Sequence, residues 1–356
     1  MLDLTRTAGG ARLMRRWMLQ PLRKKAAIES RLEGVSFFYH HQLEMAETHK
    51  LLGSVLDMER LLSRLAMNKA HAKDLKALGN SLEASLSLFA YLKDCNAAGS
   101  GIRMLSDDLR EEIASVAALL ARAILDEPSI LLNEGNMIRN GYNPELDRLR
   151  ALHQDTQGVL ERYLEEEKNN TGIQNLRIRY NRVIGYYLEV TRGKLDQVPE
   201  HFIRRQSLVG GERYTTEKLA ELEHQIESAQ DRIIELERKL FLAIREEVQR
   251  SLASMTECAA LVAEIDCLAS LAQAATANGY VRPSIVEEPI LDIQNGRHPV
   301  VEQCMPYGAF VPNTLSLGAD AAWFALITGP NMAGKSTVLR QTALIVLMAH
   351  MGSYVP

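Results

Sequence analysis

Eight residues near the end of the chain have the spacing of a phosphate-binding loop. The stretch Gly329-Pro330-Asn331-Met332-Ala333-Gly334-Lys335-Ser336 fits the pattern G-x-x-x-x-G-K-[ST]. Glycines let backbone N–H groups close on phosphate oxygens, and a helix that starts at the lysine directs its positive end at the same anions. The pattern predicts binding of ATP or ADP, with Lys335 on the β- and γ-phosphates, the Ser336 hydroxyl on Mg²⁺ and Thr337 supporting the helix start.

The residues around this loop predict the elements that would position it. Trp323 to Thr328 is an apolar run that predicts a β-strand, and residues 335–348 predict a helix. ATP hydrolysis also needs a carboxylate at the end of a later strand. Only 21 residues follow Lys335, and they contain no such strand, so we expect no steady-state hydrolysis by this chain alone. Whether residues 325–356 are folded or disordered stays open, because a lone strand and helix lack the rest of their sheet.

The composition excludes several classes of protein. With 356 residues, 46% of them apolar and 24% charged, the chain has room for two or three globular domains. The net charge is −4, so any nucleic-acid site must be local. The first residues lack the apolar stretch of a secretion signal, and we expect no apolar run that could span a membrane. These patterns predict a cytoplasmic protein without a membrane partner, whose scattered cysteines are buried free thiols (Cys95, Cys258, Cys267 and Cys304).

Helical periodicity dominates the first part of the chain and then gives way to alternation. Residues 1–142 predict a helical core domain. Asn143 as a cap and Pro144 as the first helical residue predict a long helix over 143–171. Its apolar side follows a heptad-like seam of Leu149, Leu152, Thr156, Val159 and Tyr163. Alternating β-branched and aromatic residues then predict a small antiparallel sheet over 172–216, with a turn at Gly210-Gly211.

A second long helix follows the predicted sheet, within residues 217–278. Its seam steps by three and four through Leu219, Leu222, Ile226, Ala229, Ile233, Leu236, Leu240 and Ala243. About 30 helical residues span roughly 45 Å. One long helix into a sheet and another out of it favour an antiparallel coiled-coil arm with a β tip; the alternative is two helices in a compact bundle. Residues 279–356 predict the start of a P-loop α/β domain, so the predicted fold is multidomain and mainly α.

The predicted sheet is basic although the whole chain is acidic. Residues 172–214 contain eight Lys or Arg and four Asp or Glu, a net charge of +4. A basic island on the tip of an arm suits contact with the phosphates of double-stranded DNA, without base reading. The alternative is an ordinary solvated face. The candidate residues for this contact are Asn181, Arg182, Arg204, Arg205, Gln206, Ser207 and Arg213.

Seven stretches spread over the chain, in order, together resemble the MutS family of DNA mismatch-recognition ATPases. They are LTRTAGGARLMRRWMLQPL, GYNPELDRLR, YNRVIGYYLEVTRG, IRRQSLVGGERY, AEIDCLASLA, NGRHPVVEQ and ITGPNMAGKSTVLRQTALIVLM. The resemblance implies a helical core with levers, a β clamp at their tip that holds mismatch-containing duplex DNA by its backbone, and an ATPase domain at the other end. One departure is Ala333, where the family frequently has Gly; its methyl group is tolerated if the φ angle of Ala333 is negative.

The same resemblance implies partners and one further contact. It implies a homodimer whose subunits complete each other's ATP sites, a MutL-type repair partner and a place at the nucleoid. It also implies that Phe310 stacks on adenine with Val311 beside it, whereas Phe310 as a plain core residue is the alternative. We further expect a mismatch-reading domain before Met1 and the Walker B half of the ATPase after Pro356.

Two other functional classes stay open at this point. A related ATPase with the same levers acts in recombination instead of mismatch repair, and only the flanking domains distinguish the two. The isolated chain is alternatively a non-enzymatic DNA-clamping piece. An SMC-type ATPase is disfavoured, since its P-loop precedes the coiled coil, whereas here the loop follows the long helices.

Overall fold

Two compact units make up the described chain. The structure, a computed structural model, describes residues 1–181, 183–208, 210–306, 308–318, 322–330 and 334–356, without the side chains of 152, 154–157, 225 and 227. Unit 1 comprises Met1–Ala70, Asp74–Ala121 and Glu247–Pro356; unit 2 comprises His71–Lys73 and Arg122–Glu246. The fold is mainly helical, at 58%, with a small antiparallel sheet, which confirms the predicted class at this level.

The elements follow one another in the order that periodicity predicts, helices first, then strands, then helices. The first helices are α1 (Ala8–Leu19), α2 (Lys25–His40), α3 (Gln42–Leu52), α4 (Met58–Ala66), α5 (Ala72–Asp94), α6 (Asp107–Ala123) and α7 (Pro144–Thr171). The four-stranded sheet consists of β1 (Arg177–Asn181), β2 (Gly185–Thr191), β3 (Ile203–Leu208) and β4 (Gly211–Thr215), with a 3₁₀ helix at Arg192–Gln197. The chain continues with α8 (Glu217–Arg250), α9 (Leu252–Asn278), β5 (Leu291–Gly296), α10 (Pro299–Gln303), β6 (Asn313–Leu317) and α11 (Lys335–Met351).

Helix α9 is the central element of unit 1. It contacts α1, α2, α3 and α4, and 16 of its 27 residues are buried. By length and composition α9 could cross a membrane, so the expectation that no apolar run reaches that length is wrong. In the structure, 83% of its most apolar window is buried inside the protein, as expected for a helix in the core of a folded domain.

A buried carboxylate of α9 fixes the start of α1. Asp266 accepts hydrogen bonds from the backbone N–H groups of Arg6 (2.9 Å) and Thr7 (2.8 Å) and from the Thr7 hydroxyl (2.6 Å). The same hydroxyl accepts from the N–H of Gly10 at 2.9 Å and so caps the helix. A Cβ at Gly10 would lie 2.1 Å from the Asp266 carboxylate, so only glycine fits there. Burial raises the pKa of Asp266 even though these donors oppose the shift.

Helices α7 and α8, which precede and follow the sheet in the chain, run antiparallel to each other. Arg150 near the start of α7 pairs with Glu237 far along α8 (2.6 Å), whereas Glu166 near the end of α7 pairs with Lys218 at the start of α8 (2.9 Å). The partner's number falls as the α7 number rises, which defines the antiparallel direction. The predicted start of α7 is confirmed, because the Asn143 side chain accepts from the Leu146 N–H at 3.0 Å and Pro144 is the first helical residue.

The buried side of α8 follows the predicted seam only in its first half. Leu219, Leu222, Ile226 and Ile233 are buried as predicted, whereas Ala243 is exposed. Burial passes instead to Phe241, Ile244 and Val248. A strict alternation of three and four has a period of 3.5, and it drifts around a helix with 3.6 residues per turn. On α7, Leu149 and Tyr163 of the predicted seam are buried, and the side chains of Leu152 and Thr156 lie outside the described part.

The four-stranded sheet has a core of its own within unit 2. Its strand order is β1-β2-β4-β3, and every neighbouring pair is antiparallel. One face buries Leu188 and Val190 of β2 and Tyr214 of β4. These side chains belong to one cluster with residues of the flanking helices, namely Leu160 and Tyr163 of α7 and Leu219, Leu222 and Ile226 of α8. The opposite face of the sheet does not pack on this cluster and is the face available for binding.

The end of the chain departs from the prediction in two ways. Trp323, Phe324 and Leu326 are 69%, 78% and 77% exposed, and the described residues 322–330 contain no strand, so the predicted strand at 323–328 is wrong. An apolar run becomes a strand only beside partner strands, and none pairs with it in the described chain. Helix α11, in contrast, extends to Met351, and the backbones of Val281 and Val355 exchange hydrogen bonds of 2.8 and 2.9 Å. Residues 335–356 are thus folded onto unit 1.

Candidate functional site

The solvent-side surface of the sheet groups arginines from two strands. The register pairs Arg177 with Glu189, Arg179 with Tyr187, and Glu189 with Arg213. Directly paired residues share a face, and Leu188 and Tyr214 alternate to the buried one. We call the resulting surface the outer face; it consists of Arg177, Arg179, Glu189, Gln206 and Arg213, with Tyr187 buried beneath the Arg213 guanidinium. It carries three guanidinium groups and one carboxylate.

Two of these arginines are held in place by their neighbours. The Arg213 guanidinium lies over the Tyr187 ring, 4.5 Å from its centroid, and donates to the Gln206 carbonyl at 2.8 Å. Neither contact neutralises its charge. Arg179 pairs with Glu189 at 2.9 Å. Arg177 is exposed and has no ion-pair partner among the described residues. The outer face thus presents fixed positive charge with a single acidic neighbour.

The edge strand β3 places its polar residues in two different settings. Arg205 lies at a register shift between Arg204 and Gln206, so it has no partner in the ladder. A bulge of this kind redirects a side chain, and Arg205 is exposed without an ion pair in the described chain. Arg204 contacts the Glu212 carboxylate at 3.5 Å, and the Ser207 hydroxyl donates to it at 3.2 Å. Arg204 and Ser207 are therefore partly satisfied away from the outer face.

Glu212 gathers these contacts at the side of the sheet that faces its core. The Tyr214 hydroxyl donates to the carboxylate at 2.5 Å, and this bond is the main reason that the pKa of Glu212 is lowered. The Ser207 hydroxyl and the Arg204 guanidinium lower the pKa of Glu212 further. Burial and the same hydrogen bond raise the pKa of Tyr214 to about 12. The pair stays in its charged-acceptor and neutral-donor form around neutral pH.

The β1–β2 turn uses one candidate residue for its own construction. The Asn181 side-chain oxygen accepts from the Val183 N–H at 2.8 Å, which closes an Asx turn. Gly185 has a φ angle of +74°, and a Cβ there would lie 1.9 Å from Glu223, whose carboxylate accepts from the Tyr186 N–H. Arg182 of the predicted set lies outside the described residues.

The sequence-based candidate set therefore overlaps only partly with the outer face. Gln206 and Arg213 lie on it, whereas Asn181, Arg204, Arg205 and Ser207 lie at the turn, the bulge or the core side. Arg177 and Arg179 were missing from the set, although they counted toward the net charge. Their two-residue spacing is a signal for a shared face, but only the pairing register shows which strand they lie beside.

The predicted nucleotide loop, residues 329–337, leads into α11 through a left-handed residue. Gly334 has a φ angle of +83° and precedes the first helical residue, Lys335. The Lys335 ammonium group donates to the backbone oxygens of Pro330 (2.5 Å) and Gly329. No acidic residue lies in the first turn of α11, where Ser336 is exposed and Thr337 half-buried. Asn331, Met332 and Ala333 of the predicted loop lie outside the described residues.

The residues at the start of α11 have the chemistry that a phosphate group and a magnesium ion require. The amide groups of a first helical turn and the ammonium group of Lys335 are donors for phosphate oxygens. The absence of a carboxylate from that turn avoids repulsion of an anion. A hydroxyl such as that of Ser336 is an oxygen ligand of the kind that Mg²⁺ takes beside nucleotide phosphates.

A buried glutamine joins the predicted adenine contact to the same helix. Gln341 of α11 donates to the Gly296 oxygen at 2.8 Å, and its own oxygen accepts from the Asn313 side chain at 3.3 Å. It therefore ties β5 and β6 to α11 two turns beyond the loop. Phe310 and Val311 precede β6, with Phe310 half-buried and Val311 exposed. Their contact with adenine stays a prediction.

Comparison with known proteins finds matches to the parts of the chain that contain the sheet and the predicted loop. The model of MutS domain III matches residues 1–272, and the model of MutS domain V matches residues 325–356. The DNA mismatch repair protein MutS of Desulforamulus reducens is 42% identical over 356 residues, which are 100% of this chain and 41% of that protein. The proteins of the same name from Treponema pallidum and Pelotomaculum thermopropionicum are 41% and 42% identical, over 100% of this chain and 40% and 41% of their own lengths.

These matches extend over the whole chain but not over the whole of its relatives. The chain spans about 40% of the length of the curated relatives it matches. The domain III model alone covers more than half of the chain. The identity of the chain with each of these three relatives exceeds 40% over its whole length. The chain belongs to the MutS family.

Proposed function

We propose that this chain is the DNA-clamping and first nucleotide-binding part of a mismatch-repair ATPase. In this proposal the sheet of unit 2 is the clamp, and its outer face binds the phosphate backbone of duplex DNA. The observation that carries the proposal is the placement of Arg177, Arg179 and Arg213 on one face beside a single carboxylate. The name of the relatives, DNA mismatch repair protein MutS, supports the same assignment.

The chemistry of the outer face favours phosphate contact over base reading. Arg213 is already fixed by the Tyr187 ring and Gln206, so little side-chain freedom is lost when its guanidinium meets a phosphate. Arg177 on the outer face and Arg205 at the bulge of the edge strand add charges without ion-pair partners in the described chain. Phosphate contacts position a protein on DNA but carry no sequence information. We therefore propose that this part of the protein holds any duplex and leaves mismatch reading to other parts.

We further propose that ATP or ADP binds the loop at 329–337. Lys335 would exchange the oxygens of Gly329 and Pro330 for the β- and γ-phosphates, because an ammonium group bonds more strongly to charged oxygens than to carbonyls. Ser336 would hold Mg²⁺, and Phe310 with Val311 would contact adenine. The ion would neutralise phosphate charge at the site. The chain offers no later strand with a carboxylate, so turnover is not part of this proposal.

The long helices supply the mechanical part of the proposal. Helices α7 and α8 act as levers: nucleotide at the loop biases their position, and their position opens or closes the clamp on DNA. Such coupling is reciprocal, so DNA on the clamp changes nucleotide affinity by the same factor. The family likeness extends the proposal to a homodimer, a MutL-type partner and a cytoplasmic, nucleoid-associated protein.

A duplex titration tests the DNA-binding part directly. Fluorescence anisotropy of a labelled duplex is followed as this chain is added, at about 50 mM and about 200 mM salt. We expect binding that weakens about a hundredfold between these conditions, as for a protein that contacts about four phosphates. A matched duplex and one with a single mismatch should bind equally well. Binding that is absent at low salt, or that ignores salt, contradicts the proposal.

A further inference from the structure

A cavity of about 710 Å³ lies within unit 1, and the proposed function uses none of its residues. Its walls come from α1, α2, α4 and α9, with one residue from the segment before α6. The apolar part of the wall includes Leu13, Leu62, Ala259 and Ala263. Small-molecule sites commonly have volumes of about 300–1,000 Å³. The cavity therefore has the size of a ligand site, and its charges decide the class of ligand.

Four arginines line the cavity, and they fall into two pairs. Arg12 is neutralised by Asp57 and Glu59, each at 2.6 Å. Arg103 is neutralised by Glu264. Arg16 and Arg31, in contrast, form no close ion pair among the residues that the structure describes, although the Glu264 charge acts on Arg31 at longer range. The lining itself holds four arginines and two glutamates, a net charge of +2, and Asp57 just outside the lining lowers the excess to one positive charge.

Arg31 is held in a fixed position while most of its donors stay unused. Its guanidinium carbon lies 3.6 Å from the centroid of the Trp17 ring, and Nη1 donates to the Met351 oxygen at 3.1 Å. Its remaining N–H groups have no acceptor in the described chain. Burial lowers the pKa of Arg31 to about 10, which leaves the side chain charged at neutral pH but poorly solvated. A desolvated guanidinium with free donors is a receptor for an oxyanion.

We propose that this cavity binds a small organic phosphate. Its phosphate group contacts Arg16 and Arg31, and its planar or apolar body lies against the wall of leucine and alanine side chains. A metal cation does not suit a lining with excess positive charge, and a neutral ligand leaves Arg31 without a counter-charge. A free phosphate ion satisfies the arginines but leaves most of the volume and the apolar wall without a contact.

Trp17 provides a built-in readout for this site. The chain has two tryptophans, and Trp323→Phe leaves Trp17 as the only one. The full chain with Trp323→Phe and Lys335→Ala, which also disables the nucleotide loop, is titrated with AMP, with inorganic phosphate and with adenosine. We expect a saturable change of Trp17 fluorescence with AMP. Weaker binding is expected with inorganic phosphate and with adenosine, since each of them offers only half of the interactions.

Substitutions at the two unpaired arginines test the assignment. Arg16→Ala in the same background should weaken AMP binding about tenfold or more, because it removes one charge-assisted hydrogen bond to the phosphate group. Arg31→Met should weaken it at least as much, with far-UV circular dichroism as the check on folding. Arg15→Ala is the matched control, since Arg15 is an exposed neighbour on α1 outside the cavity lining.

The titrations with AMP decide whether the cavity binds an organic phosphate. Saturable AMP binding that is lost in Arg16→Ala and retained in Arg15→Ala supports the proposal. A flat Trp17 signal with both AMP and inorganic phosphate overturns it. So does AMP binding whose affinity is the same with and without the Arg16 side chain. Because Arg16 is exposed and its removal leaves the core intact, this result does not depend on Arg31→Met folding.

Discussion

Leu188, in the middle of the unit 2 sheet, is fully buried, whereas Leu326, which precedes the nucleotide loop, is 77% exposed. The sheet has four mutually paired strands and a cluster of side chains beneath them. The segment before the loop has neither in the described chain. The two regions carry the two proposed binding activities, yet only one of them is supported by its own neighbours.

The two regions differ in how their binding residues are brought together: adjacent residues form the loop, whereas strand pairing forms the outer face of the sheet. The loop pattern specifies donors for phosphate through a few adjacent residues, and α11 forms behind it because Gln341 and the last turns of the helix pack on unit 1. The outer face of the sheet has no adjacent-residue motif. It exists only because strand pairing brings Arg177 beside Glu189 and Glu189 beside Arg213.

The largest expected effect comes from the same substitution made in the two regions. Leu188→Ala should lower the free energy of unfolding by about 2–5 kcal/mol, because it leaves a cavity in a packed cluster. Leu326→Ala should change it by less than about 0.5 kcal/mol, since that side chain is already in water. Urea denaturation followed by far-UV circular dichroism measures both. Equal costs would mean that the segment before the loop is packed after all.

A second substitution tests whether the nucleotide loop works without strand support. Lys335→Ala should weaken Mg²⁺-dependent ADP binding by about tenfold to a hundredfold, as expected when charge-assisted hydrogen bonds to phosphate are removed. Arg340→Ala, on the exposed side of the same helix, is the control and should bind as the wild type does. Isothermal titration calorimetry gives both affinities. Identical ADP binding by wild type and Lys335→Ala would show that the loop does not bind the nucleotide phosphates.

A smaller effect distinguishes the two units by pH. The Tyr214 hydroxyl holds the pKa of Glu212 below its ordinary value of 4.5, so the charged carboxylate stabilises the sheet above about pH 4.5. That contribution is lost as the pH falls through the lowered pKa. Asp266 of unit 1 has a raised pKa, so its contribution is present at low pH and lost as the pH rises through that pKa.

Urea midpoints measured between about pH 6 and pH 3 should reveal the Glu212 contribution. Glu212→Gln should flatten the acid-side loss of stability, because the titrating carboxylate is gone. Glu221→Gln, an exposed glutamate on α8, should leave the profile unchanged. Profiles that coincide for wild type and Glu212→Gln would show that the Tyr214 bond does not couple to folding.

Local signals in the sequence account for much of the fold. The Asn143 cap, the Pro144 start and the switch from helical to alternating period predict α7 and the sheet, since each depends on residues close in the chain. The predicted strand at 323–328 fails because a strand depends on partners that lie elsewhere. The seam of α8 fails at Ala243 because burial depends on what surrounds the helix, not on the period alone.

The candidate sites divide in the same way. The phosphate loop follows from a motif, and the family follows from seven stretches in order. Arg177 and Arg179 join the outer face only through register, and Arg31 becomes an unpaired, half-buried cation only through its packing on Trp17 and Met351. The two-residue spacing of Arg177 and Arg179 signals a shared face, but no spacing in the sequence identifies the strand or helix that a residue packs against.

The salt dependence of duplex binding tests the central claim most directly, because it counts the DNA phosphates that each region neutralises. The slope of log Kobs against log salt is measured for wild type, Arg177→Ala/Arg205→Ala, Lys335→Ala and the control Arg232→Ala, an exposed arginine of α8. Each neutralised phosphate adds about 0.9 to the slope, so we predict that the double substitution reduces it by about 2 and that the other two leave it unchanged. A slope that falls with Lys335→Ala and not with the sheet arginines would contradict the assignment of DNA binding to the sheet.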